Sequence, residues 1–188
     1  GVPAVYVTNN ASRSPEAVSK MLADIGLEAT TQQIVTSAQA VLQLVADEVP
    51  AASKLLIIGA DSFRDLAREM GFEVVSSADD KPAAVVQGFD RSVGWEQLTE
   101  GALAIRQGAK FFASNLDTSL PIERGFAVGN GSLVAAIQSA TGVEPVSAGK
   151  PEPAMFTFAA KQIGAKKPLA VGDRLDTDIA GGNSAAID

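Results

Sequence analysis

KLLIIGADSFRDLAREMGFEVVS, residues 54–76, is the stretch of the sequence that decides the fold class. Its first part, Lys54–Gly59, is a short apolar run with the length of a buried strand. Ser62–Met70 is typical of a helix, and Gly71 is placed to end it. Glu73–Ser76 then predicts a short second strand. A strand, a helix and a strand in this order indicate α/β architecture with mainly parallel pairing.

The same alternation continues towards the C-terminus. We predict strands at Ala83–Gly88 and Lys110–Ser114, with a helix at Trp95–Gln107 between them. A further helix is predicted at Ser132–Thr141, where Gly142 would stop it. The residues between the second of these strands and that helix are expected to form an irregular loop.

A second βα pattern flanks this middle unit. On its N-terminal side the sequence predicts a strand at Ala4–Thr8, a helix at Pro15–Ile25 and a strand at Ile34–Thr36. Ser14 can cap that helix, while Gly26 can end it. On the C-terminal side we predict a helix at Pro153–Ile163, a strand at Pro168–Gly172 and a helix starting at Thr177.

The two flanking parts are interpreted as one interrupted domain. Residues 1–37 and 143–188 would form that domain, and residues 38–142 would be a domain inserted into it. We also expect the sequence to be the interior of a longer protein, because a β-rich run follows Gly1 at once and the last predicted helix has no strand after it.

Composition excludes several kinds of chemistry. The 188 residues contain no Cys and no His, which removes thiolate nucleophiles, Ser-His-Asp catalysis and most zinc sites from this stretch. The formal net charge of −7 disfavours a nucleic-acid partner. No apolar run reaches the length of a membrane-spanning helix, so we expect no membrane partner and a cytoplasmic location. Carboxylates, lysine, hydroxyls and a hard cation remain as means of catalysis.

Two polar segments follow predicted strands. Thr8, Asn9 and Asn10 come directly after the first strand, where open α/β sheets bind ligands, although the same residue types also form turns. Asp173 follows the strand that ends at Gly172, and Asp178 lies five residues later. Carboxylates in this arrangement suit Mg²⁺, but they also suit the start of a helix.

Two loops with glycine precede predicted helices. Lys150, between Gly149 and Pro151, could offset the charge of a phosphate or could be an ordinary solvated lysine. Gly129-Asn130-Gly131 has the look of a dinucleotide-binding loop, but its third glycine position is Val134. We interpret it as the entrance to a helix of the inserted domain.

Together and in this order, these segments resemble the haloacid dehalogenase-like (HAD) phosphatases, in particular the sugar-phosphatase and p-nitrophenyl-phosphatase branch. Residues 7–14 resemble the second motif of that family, residues 149–151 the third and residues 172–178 the fourth. Asn115, Leu116 and Asp117, with Pro121 and residues 129–132, are similar to the cap of this branch. The resemblance implies a Rossmann-like HAD core, incomplete in this chain, with a large inserted α/β cap domain.

The resemblance also implies roles for single residues. Thr8, Asn9 and Asn10 would bind phosphate, and Lys150 would neutralise charge there. Asp173 and Asp178 would bind Mg²⁺, Asp178 also ordering its shell. The cap residues Asn115 and Asp117 would contact the substrate.

The family's nucleophile is an Asp-x-Asp motif, which we expect upstream of Gly1. The implied reaction is Mg²⁺-dependent hydrolysis of a small phosphorylated metabolite, such as glycerol 3-phosphate, phosphoglycolate or a sugar phosphate, through an aspartyl-phosphate. By itself this stretch would be inactive. A second copy of the chain, bound through the cap, is the expected protein partner. A non-catalytic ligand-binding protein on the same fold is the alternative.

Overall fold

The computed structural model describes residues 2–188. Its helices are α1 (Pro15–Asp24), α2 (Ser37–Glu48), α3 (Asp61–Glu69), α4 (Trp95–Arg106), α5 (Asn130–Thr141), α6 (Ala154–Gln162) and α7 (Ala180–Ser184). Its strands are β1 (Tyr6–Thr8), β2 (Ile34–Thr36), β3 (Lys54–Ile58), β4 (Glu73–Val75), β5 (Ala84–Gln87), β6 (Lys110–Ala113), β7 (Ser119–Ile122), β8 (Gly125–Val128) and β9 (Val146–Ser147).

A parallel sheet forms the centre of the molecule. Its strand order is β4-β3-β5-β6-β9, and every neighbouring pair is parallel. Helices cross between successive strands, which is why β3, β5 and β6 are buried on both faces and consist almost wholly of apolar residues. The α/β class predicted from residues 54–76 is confirmed.

Alternate residues of each central strand pack into two separate apolar clusters. Leu55 and Ile57 of β3 face the cluster that contains α2, α3 and α6, while Leu56 and Ile58 face α4 and α5. This division follows from the two-residue repeat of a strand, which sends successive side chains to opposite faces. The sheet is therefore the middle layer of three.

The N-terminal flanking segment forms a smaller sheet beside this centre. β1 pairs in parallel with β2, with Thr8 opposite Thr36, and α6 packs against both strands and against α2. Ser14 caps α1 as expected, since its Oγ accepts a hydrogen bond from the N–H of Ala17. The carboxyl end of β1 thus lies close to the beginning of α2.

The predicted strand at Pro168–Gly172 is wrong. No strand forms there; the side chains of Leu169 and Val171 are 72% and 88% exposed, and the N–H of Ala170 donates to Asp188. A strand is stable only beside a neighbour that takes up its backbone hydrogen bonds. Among residues 2–188 none lies alongside this segment.

The expected irregular loop after β6 is also wrong, because it contains an antiparallel hairpin. β7 and β8 pair from Ser119 opposite Val128 to Ile122 opposite Gly125. Gly125 has a φ of +122°, which a residue with a side chain rarely adopts. The sequence did carry a weak signal, since Leu120 and Ile122 alternate along β7 and β8 is apolar after Gly125, but Pro121 argues against a strand unless that strand lies at an edge.

The remaining differences are smaller. The helix expected to start at Thr177 begins as a π-helical turn at Leu175–Ile179 and continues as α7. α2 and β9 lie in stretches for which no helix or strand was predicted from the sequence. β9, which belongs to segment 143–188, pairs with β6 of segment 38–142 in the central sheet. The division of the chain at residues 37 and 142 stays a prediction. None of the helices within residues 2–188 is both long and apolar enough to cross a membrane.

Candidate active site

Three distant segments meet at the carboxyl end of β1. The ammonium Nζ of Lys150 lies 2.5 Å from the carboxylate Oδ1 of Asp178 and 3.4 Å from the carbonyl oxygen of Val7. The side chains of Lys150 and Asp178 are only 15% and 13% exposed. A cation and an anion held together with so little water interact more strongly than a surface pair. The structure thus brings together the predicted residues of the loop before α6 and of the segment after Gly172.

The electrostatics of Asp178 reflect this pairing. Burial by itself would raise the pKa of the Asp178 carboxyl, but the hydrogen bond and the charge of Lys150 act in the opposite direction. Backbone N–H groups of Arg174 and Asp173 also donate to it. The resulting pKa lies below its ordinary value, so the carboxylate is ionised at neutral pH.

Gly172 makes room for that carboxylate. A Cβ added at Gly172 would lie 2.7 Å from Oδ2 of Asp178, closer than real side-chain contacts come. A residue with a side chain there would push Asp178 away from Lys150. The glycine before Asp173 is therefore explained by close approach to Asp178.

The predicted ligand Asp173 and the neighbouring Asp176 differ from Asp178. Asp173 is exposed, and Asp176 pairs with Arg174 at 2.7 Å on the surface. Within residues 2–188 no three acidic side chains converge on a point where a metal ion could lie. The structure therefore does not bring Asp173 and Asp178 into a larger carboxylate cluster.

Asn9 joins the loop after β1 to the loop before α6 and to the cap loop that carries Asp117. Its Oδ1 accepts a hydrogen bond of 2.8 Å from the N–H of Lys150, and its Nδ2 donates to the carbonyl oxygen of Lys150 at 3.2 Å. The same Nδ2 donates to Oδ2 of Asp117 at 3.1 Å. The predicted residues Asn9, Asp117 and Lys150 are thus in direct contact.

Thr8 and Asn10 are bonded within their own loop. The hydroxyl of Thr8 accepts a hydrogen bond from the N–H of Asn10, and Oδ1 of Asn10 accepts from both the N–H and the hydroxyl of Ser12 at 2.8 Å. This pattern is an Asx turn, the bonding that the turn alternative for these residues requires. It holds the loop in a fixed shape at the end of β1.

A second asparagine orders the loop that carries Asp117. Asn115 is buried; its Nδ2 donates to the carbonyl oxygen of Asn9 at 2.8 Å, and its Oδ1 accepts from the N–H of Asp117. Asn130, the first residue of α5, donates to the carbonyl oxygen of Asn115. The glycines around Asn130 are needed because a Cβ at Gly131 would collide with the backbone of Leu116.

A cavity of about 720 Å³ lies between the loop after β1 and the β7–β8 hairpin; Lys150 and Asp178 are outside its lining, which includes Thr8, Asn9, Asn10, Asn115, Asp117 and Asn130. Several charged residues that line the cavity had no role predicted from the sequence, namely Arg13, Asp90, Arg91 and Arg174. Asp90 and Arg91 follow β5, and a position beyond the carboxyl end of a parallel strand is the signal that could have identified them. The cavity has room for a small charged metabolite.

Comparison with known proteins gives consistent results. Residues 1–73 match a family model described as haloacid dehalogenase-like hydrolase, and residues 147–188 match a second, HAD-hydrolase-like model. The chain is 45% identical to a D-glycerol 3-phosphate phosphatase of Mycobacterium tuberculosis over 97% of its own length and 52% of that protein. It is 38% identical to the 5′-nucleotidase YutF of Bacillus subtilis over its full length and 73% of that protein.

A solved structure supports the same relationship. The crystal structure of a glycerol phosphate phosphatase from Mycobacterium tuberculosis in complex with magnesium superposes with a TM-score of 0.95 at 45% identity, covering 98% of this chain and 56% of that one. The chain spans about half the length of that relative. The similarity to YutF, extending over most of both proteins, shows the family. The chain belongs to the haloacid dehalogenase-like hydrolases.

Proposed function

We propose that this chain is part of a Mg²⁺-dependent phosphatase that hydrolyses phosphomonoesters of small metabolites. The observation that carries the proposal is the meeting of Lys150, Asp178 and the loop after β1 at one strand end. These are the residue types that phosphoryl transfer requires: a cation, a carboxylate and hydrogen-bond donors held in fixed positions. The named relatives are phosphatases or a nucleotidase, which agrees with this reading.

In the proposed reaction Lys150 offsets negative charge on the transferring phosphoryl group. Its ammonium is held by Asp178 and by the carbonyl oxygen of Val7, so little reorganisation is needed when substrate binds. The hydroxyl of Thr8 donates to a phosphate oxygen, and the carboxylates of Asp173 and Asp178 hold Mg²⁺, which when bound neutralises charge on the phosphoryl oxygens.

The residues present fit that ion. Mg²⁺ prefers oxygen ligands and is commonly held by one or two carboxylates, with water completing its shell. Asp178 is fixed close to Lys150 in the space that Gly172 leaves, and Asp173 is the residue directly after that glycine. Two carboxylates from this stretch are therefore enough, even though residues 2–188 offer no cluster of three.

The nucleophile in this proposal is an aspartate upstream of residue 1, as the family resemblance implies. Its carboxylate attacks phosphorus, and the alcohol leaves with a proton from the second aspartate of the Asp-x-Asp motif. Water then hydrolyses the aspartyl-phosphate and returns a proton to that second aspartate. Inorganic phosphate is released and the carboxylate is regenerated. The cap loop with Asn115 and Asp117 closes the cavity over the leaving group. The proposed substrates are glycerol 3-phosphate, phosphoglycolate or a sugar phosphate, as the family resemblance implies; Arg13, Arg91 and Arg174 in the lining of the cavity suit an anionic ligand.

Activity of the full-length protein tests the proposal. We expect phosphate release from p-nitrophenyl phosphate and from at least one of these metabolites, loss of activity with EDTA and recovery with added Mg²⁺. Lys150→Ala and Asp173→Asn should each lower kcat by roughly 10²-fold or more without unfolding the protein, as judged by circular dichroism.

The matched control is Lys20→Ala, which removes an exposed lysine of α1 and should leave the rate unchanged. Near wild-type rates in both site variants would contradict the assigned roles. No hydrolysis of any phosphomonoester by the wild-type protein would favour the ligand-binding alternative.

A further inference from the structure

Every hydrogen of the Asn9 amide group is already used within the protein. Nδ2 carries two hydrogens and makes two hydrogen bonds, to the carbonyl oxygen of Lys150 and to Oδ2 of Asp117. Oδ1 accepts from the N–H of Lys150 at 2.8 Å. The side chain of Asn9 therefore has no N–H left for a phosphate oxygen while these contacts exist.

The backbone of Asn9 is held just as firmly. Its carbonyl oxygen accepts from the hydroxyl of Ser37 at 2.7 Å and from Nδ2 of Asn115 at 2.8 Å. Ser37 is the first residue of α2 and is buried, as is Asn115 in the cap loop. The backbone of Asn9 is thus fixed by the start of α2 and by the cap loop, in addition to the contacts of its side chain with Lys150.

The double contact with Lys150 is specific in geometry. One amide group bonds both the N–H and the carbonyl oxygen of a single residue, so it defines the position and the tilt of that residue's backbone. The side chain of Lys150 starts from this backbone and reaches Asp178 at 2.5 Å. A shift of the backbone would move the ammonium group by a similar distance.

We propose that Asn9 is a positioning residue that fixes the positions of Lys150 and of the cap residue Asp117 relative to each other, and that its side chain does not bind phosphate. The inference rests on the proposed phosphatase function and specifies one of its parts. Without Asn9, the Lys150 backbone loses two hydrogen bonds and Asp117 loses its link to the loop after β1.

A double-mutant cycle between Asn9 and Lys150 tests the inference in the full-length protein. With p-nitrophenyl phosphate, Asn9→Ala should lower kcat/KM by roughly 10- to 100-fold, the range of losses when a supporting contact is removed. In a Lys150→Ala background the same change should cost less than about threefold, because its target is already gone. A direct contact between Asn9 and phosphate would instead cost a similar factor in both backgrounds and would overturn the inference.

A second cycle tests the link to the cap. Asn9→Asp places a carboxylate against the carboxylate of Asp117, about 3.1 Å away, and should lower kcat/KM more than Asn9→Ala does. Adding Asp117→Asn restores the hydrogen bond in the opposite direction, with the amide at position 117 as donor and the carboxylate at position 9 as acceptor. The double variant should therefore have a kcat/KM at least about tenfold higher than that of Asn9→Asp alone. Independent effects of the two substitutions would overturn the proposed link.

Controls separate the possible causes of failure. Gln107→Ala removes an exposed amide at the end of α4 and should leave kcat/KM unchanged. Thermal unfolding of each variant checks that it is folded. If Asn9→Ala does not fold, the cycle of Asn9→Asp and Asp117→Asn tests the positioning role of Asn9. An inactive wild-type protein refutes the proposed function, whereas an active wild type with additive cycles refutes only the role of Asn9.

Discussion

Asp90, at the rim of the cavity, shows how a single turn sets the charge of a residue. Its Oδ1 accepts hydrogen bonds from the hydroxyl and the N–H of Ser92, at 2.6 and 2.8 Å. These bonds, joined by the charges of Arg64 and Arg91 and opposed by slight burial, lower the pKa of Asp90 below its ordinary value of 3.8. A carboxylate so stabilised is ionised at neutral pH and places a negative charge beside Arg91 in the lining of the cavity.

We predict that Ser92→Ala raises the pKa of Asp90 towards 3.8, because the hydroxyl bond is the largest cause of the shift. A lowered pKa stabilises the folded state above pH 3.8, and that stabilisation is lost as the pH falls through the folded pKa. On acidification from neutral pH to below 3.8, the free energy of unfolding should therefore fall less in the variant than in the wild type. Carboxyl ¹³C NMR titration measures the pKa directly. Ser184→Ala, which removes a hydroxyl bonded only within α7, is the control; an unchanged Asp90 pKa in Ser92→Ala would contradict the assignment.

At the scale of elements, α3 is held against the sheet by one aromatic ring. Phe63 is buried, and a Cβ added at Gly88 or Gly59 would lie only 3.0 or 3.2 Å from its ring. A Cβ at Gly88 would also lie 3.2 Å from Cβ of Ala11. The ring thus fills the space between α3 and the strand ends, close to the loop after β1.

Phe63→Ala should lower the free energy of unfolding by about 3–5 kcal/mol, the usual cost of replacing a buried Phe with Ala in a protein core. Urea unfolding monitored by circular dichroism measures the loss. Phe126→Ala is a matched control, because that ring is 83% exposed on β8 and its removal should change stability by no more than about 0.5 kcal/mol. Equal effects of the two substitutions would mean that Phe63 is not part of the core.

At the scale of the whole molecule, the two parts of residues 1–188 are stabilised unequally. The central sheet has five parallel strands with helices on both faces, whereas β1 and β2 form a pair, and the apolar side chains of Leu169 and Val171 face solvent. Backbone groups with partners in a buried sheet exchange their hydrogens slowly.

Hydrogen exchange on a protein of residues 1–188 should therefore show a gradient. We expect slow amides in β3, β5 and β6, faster ones in β1, and the fastest at Leu169–Gly172, because no strand among residues 2–188 pairs with that segment and the N–H of Ala170 donates only to the C-terminal residue. Mass spectrometry of peptides from the exchanged protein resolves these regions. Equal protection of Leu169–Gly172 and β5 would show that another chain covers this segment.

Local patterns predicted most of the elements because they arise from neighbouring residues. The apolar runs at residues 54–58 and 110–113 become β3 and β6, and Gly142 ends α5 in the left-handed conformation that was expected of it. α2 was missed although Thr36 and Gln39 form a capping box at its start, a signal present in the sequence. Pro168–Gly172 failed for the opposite reason: its composition suits a strand, but pairing depends on a partner elsewhere.

What the sequence by itself determined is the α/β class, the boundaries of most helices and strands, and the residue types gathered at the candidate site. Only the tertiary structure decided how those residues share their hydrogen bonds. Asn9 contacts Asp117 and Lys150, which lie 108 and 141 residues further along the chain. Periodicity and capping act over a few residues, whereas which atoms of Asn9 remain free for a ligand depends on the packing of three segments in space.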